Sequence, residues 1–205
     1  MPNQHLDPSA TALLLVDFIN DIVSEGGKLA GKGYLTYIRE HKIDERVGTL
    51  LGGARRAGWS VVHVRVGFSK TYADHPASSP LFGGAKKFGA LALGGWGTEF
   101  AGFAQPLEDE VVVVKHRVSA FYGTDLEAVL RSLSVRNIVI AGCATDLAVQ
   151  SAARDAHDRD FAVIVVDDAC AAATKADHQS SLTVLAKIAT IVTVADLARP
   201  PVSAT

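Results

Sequence analysis

Residues 136–149, RNIVIAGCATDLAV, decide how the rest of the chain is read. Ile138, Val139 and Ile140 form an unbroken apolar run, the pattern of a parallel strand covered on both faces, and Gly142 gives the backbone freedom to bend directly after it. A helical stretch follows, with Thr145 as its expected N-cap. The backbone N–H groups of the first helical turn, that of Ala148 among them, then lack intrahelical partners and face the turn. Such donors suit an anion, and in open α/β sheets ligands sit at the carboxyl ends of the strands. Chemistry is therefore expected first at this turn.

Outward from it, apolar strands alternate with helical patterns. ALLLV at 12–16 reads as a buried strand that delivers Asp17 to its carboxyl end, SVVHVRV at 60–66 as a second strand, and VVVV at 111–114 as a third that delivers Lys115 to the same edge. Asp17 and Lys115 should be neighbours. A fifth strand is expected at 161–166 and a sixth at 191–194. Val47, Leu50, Leu51 and Ala54 recur at i, i+3, i+4 and i+7, marking a helix closed near Gly58. Thr124 and Glu127 fit a capping box before Leu126, Val129, Leu130 and Leu133, and Leu182, Leu185, Ala186 and Ala189 mark a further helix. After the central turn, Ala148, Ser151, Ala152 and Asp155 give one small-residue helix face able to pack closely or border a pocket. Residues 19–42 read as polar and glycine-punctuated. Residues 67–110, rich in Gly, Pro and aromatic residues, read as a lid or binding loop. This β/α alternation implies an α/β fold, a parallel sheet with right-handed crossovers and helices on both faces.

At 205 residues the chain suits one domain, and 48% hydrophobic with 20% charged residues is the make-up of a globular protein with a large core. A net charge of −2 gives no attraction to nucleic acid or to an anionic membrane surface, so a small-molecule partner is expected. The N-terminal MPNQHLDPSAT lacks the features of a signal peptide and no apolar run reaches membrane-spanning length, which favours the cytoplasm. Cys143 and Cys170 each follow a predicted strand and are expected as reduced, buried thiols.

In order along the chain, LLLVDFINDI, VVVVKHRVSAFYGTDLEAVL and IVIAGCATDLAVQSAARDA resemble the three signature segments of the isochorismatase-like hydrolases, or cysteine hydrolase superfamily. The resemblance runs from residue 12 to about residue 197. It implies a three-layer α/β/α fold around a six-stranded parallel sheet of Rossmann-like type, homodimers or homotetramers, and an Asp–Lys–Cys triad. It also implies a non-proline cis peptide that positions an oxyanion hole. Carried over residue by residue, Asp17 matches the general acid or base, and Lys115 the lysine that holds that carboxylate and stabilises negative charge. Cys143–Ala144 matches the cis peptide, and the N–H groups of Ala144 and Ala148 match the oxyanion hole.

At the family's nucleophile position, the last of a GxxTxxC pattern, this chain has Ala148. A thiolate there would be stabilised by the helix N-terminus and by Lys115, with Asp17 taking its proton; a methyl group does none of this. Three readings stay open. The chain is a natural thiol-free enzyme in which Asp17 protonates an enol ether while water attacks, a Cys-to-Ala variant of an amide or ureide hydrolase, or a catalytically silent binder of a small molecule.

Other candidates have ordinary alternatives. Phe18, Trp96 and Phe121 are candidate pocket walls, with core packing as the alternative; Arg117 is a candidate for a substrate carboxylate, with an ion pair as the alternative. Cys143 in the turn is better read as a small hydrophobe than as a displaced nucleophile. His63 is expected as a satisfied core or edge histidine, and His116 and His178 as exposed. No Asp-x-His plus His spacing of the family's nicotinamidases is found between the second strand and the lid, which disfavours a metal and nicotinamide. No cofactor is expected, since neither a G-x-G-x-x-G after the first strand nor a P-loop is present.

Overall fold

The computed structural model describes residues 6–198. Residues 1–5, part of the N-terminal stretch weighed for a leader, and residues 199–205 lie outside them. Six strands form one sheet: β1 (Thr11–Val16), β2 (Ser60–Val66), β3 (Val111–Lys115), β4 (Asn137–Cys143), β5 (Ala162–Ala171) and β6 (Thr190–Val192). Their spatial order is β3-β2-β1-β4-β5-β6 and every pairing is parallel. The chain builds outward from β1 through β2 to β3, then crosses back to lay β4 on the other side of β1. Ligands gather at such a reversal in doubly wound sheets.

Alternate residues of β1 enter different cores. Leu13 and Leu15 join one cluster, Ala12, Leu14 and Val16 the other, so the strand reads as continuously apolar. The first cluster is covered by helices α1 (Asn20–Val23), α2 (Tyr34–His41), α3 (Ile43–Ala57) and α8 (Val194–Leu197), while α4 (Ala85–Phe88) lies in the long connection after β2. The opposite face is covered by α5 (Leu126–Ser132), α6 (Gln150–His157) and α7 (Lys175–Leu185). In α3, Val47, Leu50, Leu51 and Ala54 are the buried stripe that the spacing predicts, and each leucine contributes about 2 kcal/mol by leaving water. Gly58 ends α3 at φ 74°, where its N–H reaches the carbonyls of Ala54 and Arg55.

Residues 19–42, polar and glycine-punctuated in sequence, hold the short helices α1 and α2. Several local expectations are corrected. The 161–166 strand continues through the polar pair Asp167 and Asp168 to Ala171. Thr124 and Glu127 form no capping box. The Thr124 hydroxyl donates to the Ala120 carbonyl, and Glu127 is drawn to Arg159 at 2.9 Å, on a charge stronger than a backbone N–H. Gly142 does not end β4, which runs on to Cys143. A Cβ at 142 would sit 2.8 Å from the Val16 carbonyl oxygen, so glycine is required there by the close approach of β1 rather than by a bend. Cys143 and Cys170 are buried and free, and they occupy opposite cores, so the sheet itself stands between them.

Candidate active site

Asp17 follows β1 directly and takes the left-handed conformation, φ 59°, at a cost of about 1 kcal/mol for a residue with a Cβ. That conformation turns its carboxylate over the carboxyl end of the sheet. Lys115 ends β3, two strands away, and its long side chain crosses the end of β2 to place Nζ 2.8 Å from Asp17 Oδ2. The intervening strand takes part: the Val66 N–H donates to Asp17 Oδ1 at 2.7 Å. The ammonium also donates to the carbonyls of Val118 at 2.8 Å and Arg117 at 3.2 Å, which accounts for its three protons. Both side chains are almost fully buried, at 5% and 1% exposure. Burial pushes the Asp17 carboxyl above its usual range, against the opposing pull of Lys115 and the Val66 N–H.

Beside the pair, the Cys143–Ala144 peptide is cis, and Thr145–Val149 wind one π-helical turn before α6 begins. The Ala144 carbonyl accepts from the N–H groups of Leu147 (3.2 Å) and Val149 (3.1 Å). Thr145 is not a cap. Its buried hydroxyl lies 2.9 Å from His178 Nδ1, and His178 Nε2 lies 2.8 Å from Asp167 Oδ1. His178 is thus buried, contrary to the sequence expectation. His116 is partly buried and bonded through Nδ1 to the Gly67 carbonyl at 2.6 Å. His63 is buried as expected, with Nε2 2.9 Å from Glu110.

Asp17, Lys115, Cys143, Ala144 and Ala148 meet on one cavity of about 360 Å³. Ile22, Leu29, Val66, Val118 and Leu147 line it from the strand ends and adjoining loops, and residues 67–110 close it with Phe82, Ala85, Ala90 and Leu91. This lid is anchored by a buried carboxylate: Asp21 Oδ2 accepts from the Leu91 N–H at 2.7 Å, and Oδ1 from the Lys28 N–H at 3.2 Å. Gly97 packs so closely on the Asp21 carboxylate that a Cβ there would lie 2.3 Å from Oδ2. Ala148 presents only its methyl group. The Cys143 thiol is poorly suited to act as a nucleophile, because burial and the nearby carboxyl groups of Asp17 and Asp146 hold its pKa well above the ordinary thiol value.

Four of the proposed substrate contacts lie elsewhere. Phe18 points into the core, 5.5 Å from Phe103, because the turn at Asp17 sends neighbouring side chains in different directions. Phe121 is buried in the opposite core beside Phe161, Trp96 is half exposed, and Arg117 is spent on the carbonyls of Asp74 and His116. Three residues not singled out from the sequence do line the cavity: Lys28, Lys32 and Tyr34. Their only signal was two lysines and a tyrosine within a glycine-broken stretch, GGKLAGKGY. Among the described residues no three His, Cys, Asp or Glu side chains converge as metal ligands, and no helix is long and apolar enough to cross a membrane.

A doubly wound parallel sheet with an Asp–Lys pair and a cis-peptide turn at its carboxyl edge defines a hydrolase of the isochorismatase-like class. Residues 11–196 match the isochorismatase domain, and the chain belongs to that family. It is 30% identical over 190 residues to the ureidoacrylate amidohydrolase RutB of Acinetobacter baylyi, covering 86% of this chain and 77% of the relative. Among solved structures, an isochorismatase family protein from Desulfovibrio vulgaris superposes with a TM-score of 0.82 at 29% identity, covering 92% of this chain and 96% of that one. N-carbamoylsarcosine amidase from Thermoplasma acidophilum does so at 0.70 and 27%, covering 90% and 96%.

Proposed function

We propose that the protein hydrolyses a small polar metabolite, at a C–N amide or ureido bond or at an enol ether, with Asp17 and Lys115 as its reactive pair. In this reading it works in the cytoplasm as a homodimer or homotetramer. The observation that carries the reading is the buried 2.8 Å contact between Asp17 and Lys115 on a cavity that also exposes Ala148. Without a thiol the nucleophile is water, lodged against the Ala148 methyl. For an amide, Asp17 takes a proton from that water as its oxygen adds to the carbonyl carbon, then returns the proton to the departing nitrogen. The N–H groups of Ala144 and Ala148 receive the oxyanion, a contribution of about 3 kcal/mol for one well-placed donor. For an enol ether, Asp17 starts protonated, a state its upward pKa shift favours, and gives its proton to the terminal enol carbon. Water adds to the resulting oxocarbenium carbon and returns a proton to Asp17, and the hemiketal then breaks its C–O bond to release the alcohol. Lys115 balances the carboxylate whenever the proton is away.

The relatives named for ureidoacrylate and N-carbamoylsarcosine support the C–N branch. Ala148 favours a second reading, a silent binder of the same small molecules. One experiment separates them. Ala148→Cys is assayed on small amides, ureides and carbamoyl compounds, and the unaltered chain on the same panel together with isochorismate. Turnover by either protein that disappears in Asp17→Asn supports the hydrolase. Ligand binding without turnover by either protein overturns it in favour of the binder.

A further inference from the structure

The cavity has a second polar region besides the Asp17–Lys115 pair, and its charge is unbalanced. Lys28 and Lys32 both line it, and among the described residues no carboxylate other than Asp17 does. Asp17 is already matched by Lys115, so no carboxylate on the lining offsets Lys28 and Lys32; Asp146 and Asp177 stand near Tyr34 but off the lining. The Lys28 ammonium is tied to the Gly89 carbonyl of the lid, which fixes it while leaving two of its protons unused. The Lys32 ammonium makes no hydrogen bond or ion pair among the described residues, although the backbone N–H of Lys32 donates to the Leu29 carbonyl at 3.0 Å. Tyr34, two residues on, is half-buried in the same lining, and its hydroxyl likewise has no hydrogen-bond partner among them. Burial first, and then the neighbouring Cys143, Asp146 and Asp177, push its phenol up to about 12. It therefore stays a proton donor at neutral pH and never competes as an anion.

The remaining lining is chiefly aliphatic and aromatic, with Leu81, Phe82 and Phe88 contributed by the lid. Both lysines are exposed, so their charge contacts are screened by water and weaken with salt, while the apolar walls receive the rest of a ligand. A group that satisfies two ammonium ions and a phenol at once must accept several hydrogen bonds and carry negative charge. A carboxylate does both, with four lone-pair positions on two oxygens.

We propose that Lys28, Lys32 and Tyr34 form an anion-binding end of the cavity that holds the carboxylate of a substrate with an apolar body, while its scissile bond lies over Asp17 and Lys115. This deepens the hydrolase reading and rests on it. The substrate class is then a small carboxylic acid carrying an amide, ureido or enol ether group, and its neutral ester or amide counterpart is rejected.

The chain as it stands, lacking a thiol, suits binding measurements. Calorimetric titration compares N-carbamoylphenylalanine with its neutral methyl ester. The expected result is at least tenfold tighter binding of the acid at low salt, with the advantage shrinking as salt is raised. Lys28→Gln and Lys32→Gln should each reduce the advantage, the double variant should bring the two probes level, and Lys32→Arg should restore most of it. Equal binding of acid and ester, an advantage that survives in the double variant, or no binding of either probe at millimolar concentration overturns the anion-binding end. Failure of the hydrolase reading looks different: the acid is preferred and the preference follows the lysines, yet no Asp17-dependent turnover occurs. Asp17-dependent turnover of acid and ester alike removes the anion-binding end and leaves the hydrolase.

Discussion

Asp17 and Glu110 are both carboxylates buried against a cation, and they sit at opposite ends of the same sheet. Glu110 immediately precedes β3, on the edge away from the cavity. It accepts from Arg55 Nε at 2.7 Å and Nη2 at 2.8 Å, from the Leu107 N–H at 2.9 Å, and faces His63 Nε2 at 2.9 Å. Burial alone would raise its pKa, but these contacts, led by Arg55, pull it down to about 2. Asp17 has one ammonium and one backbone N–H, and burial prevails. The difference lies in how many donors are aimed at each carboxylate. Glu110 is fully engaged and locked as an anion, which suits holding α3 and the lid's end to the sheet. Asp17 keeps its affinity for a proton and faces the cavity, the arrangement that the proposed proton transfer calls for.

The comparison breaks most sharply in activity. On whichever assay yields turnover, Asp17→Asn should lower kcat/KM by about 10²- to 10⁴-fold, whereas Glu110→Gln should leave it within about twofold. Comparable losses in both variants would erase the distinction. Stability tests Lys115, the cation that faces Asp17. Lys115→Met strands the buried Asp17 carboxylate and should cost about 3–5 kcal/mol at pH 8 by urea denaturation. Because the folded-state pKa of Asp17 is raised, the penalty should vanish below its unfolded value near 3.8 and grow as pH climbs through the folded value. A penalty independent of pH would mean that lost packing, not charge, is responsible.

The smallest effect concerns Glu110. Glu110→Gln should cost about 1–3 kcal/mol at pH 7. Here the folded-state pKa is depressed, so the stabilisation is complete above the unfolded value of 4.5 and disappears as pH falls through about 2. Urea midpoints of the two proteins should therefore converge on acidification, and parallel curves would show that the carboxylate's charge is not what stabilises.

Most of the sheet was legible because parallel strands covered on both faces leave a one-dimensional trace, as β1, β2 and β4 do. Asp17, Lys115 and the 143–148 turn were legible for the same reason, since each follows a recognisable strand. The opposite error came from judging pocket walls by residue type. Phe18, Trp96, Arg117 and Phe121 have suitable chemistry, but their direction depends on packing that no local pattern encodes. Lys28, Lys32 and Tyr34 escaped notice because the lid, not the strand order, makes them part of the cavity. His178 escaped because a histidine's burial depends on partners far along the chain, here Thr145 and Asp167.

That last contact bears on what residue 148 is free to be. The turn is fastened from behind: Thr145 is gripped by His178 from α7, and His178 in turn by Asp167 in the middle of β5, with no atom of Ala148 in the chain of contacts. Position 148 is thus a socket whose frame is held independently of its filling. Ala148→Cys should therefore leave the turn's contacts and the stability of the fold unchanged, as urea denaturation of the two proteins would show.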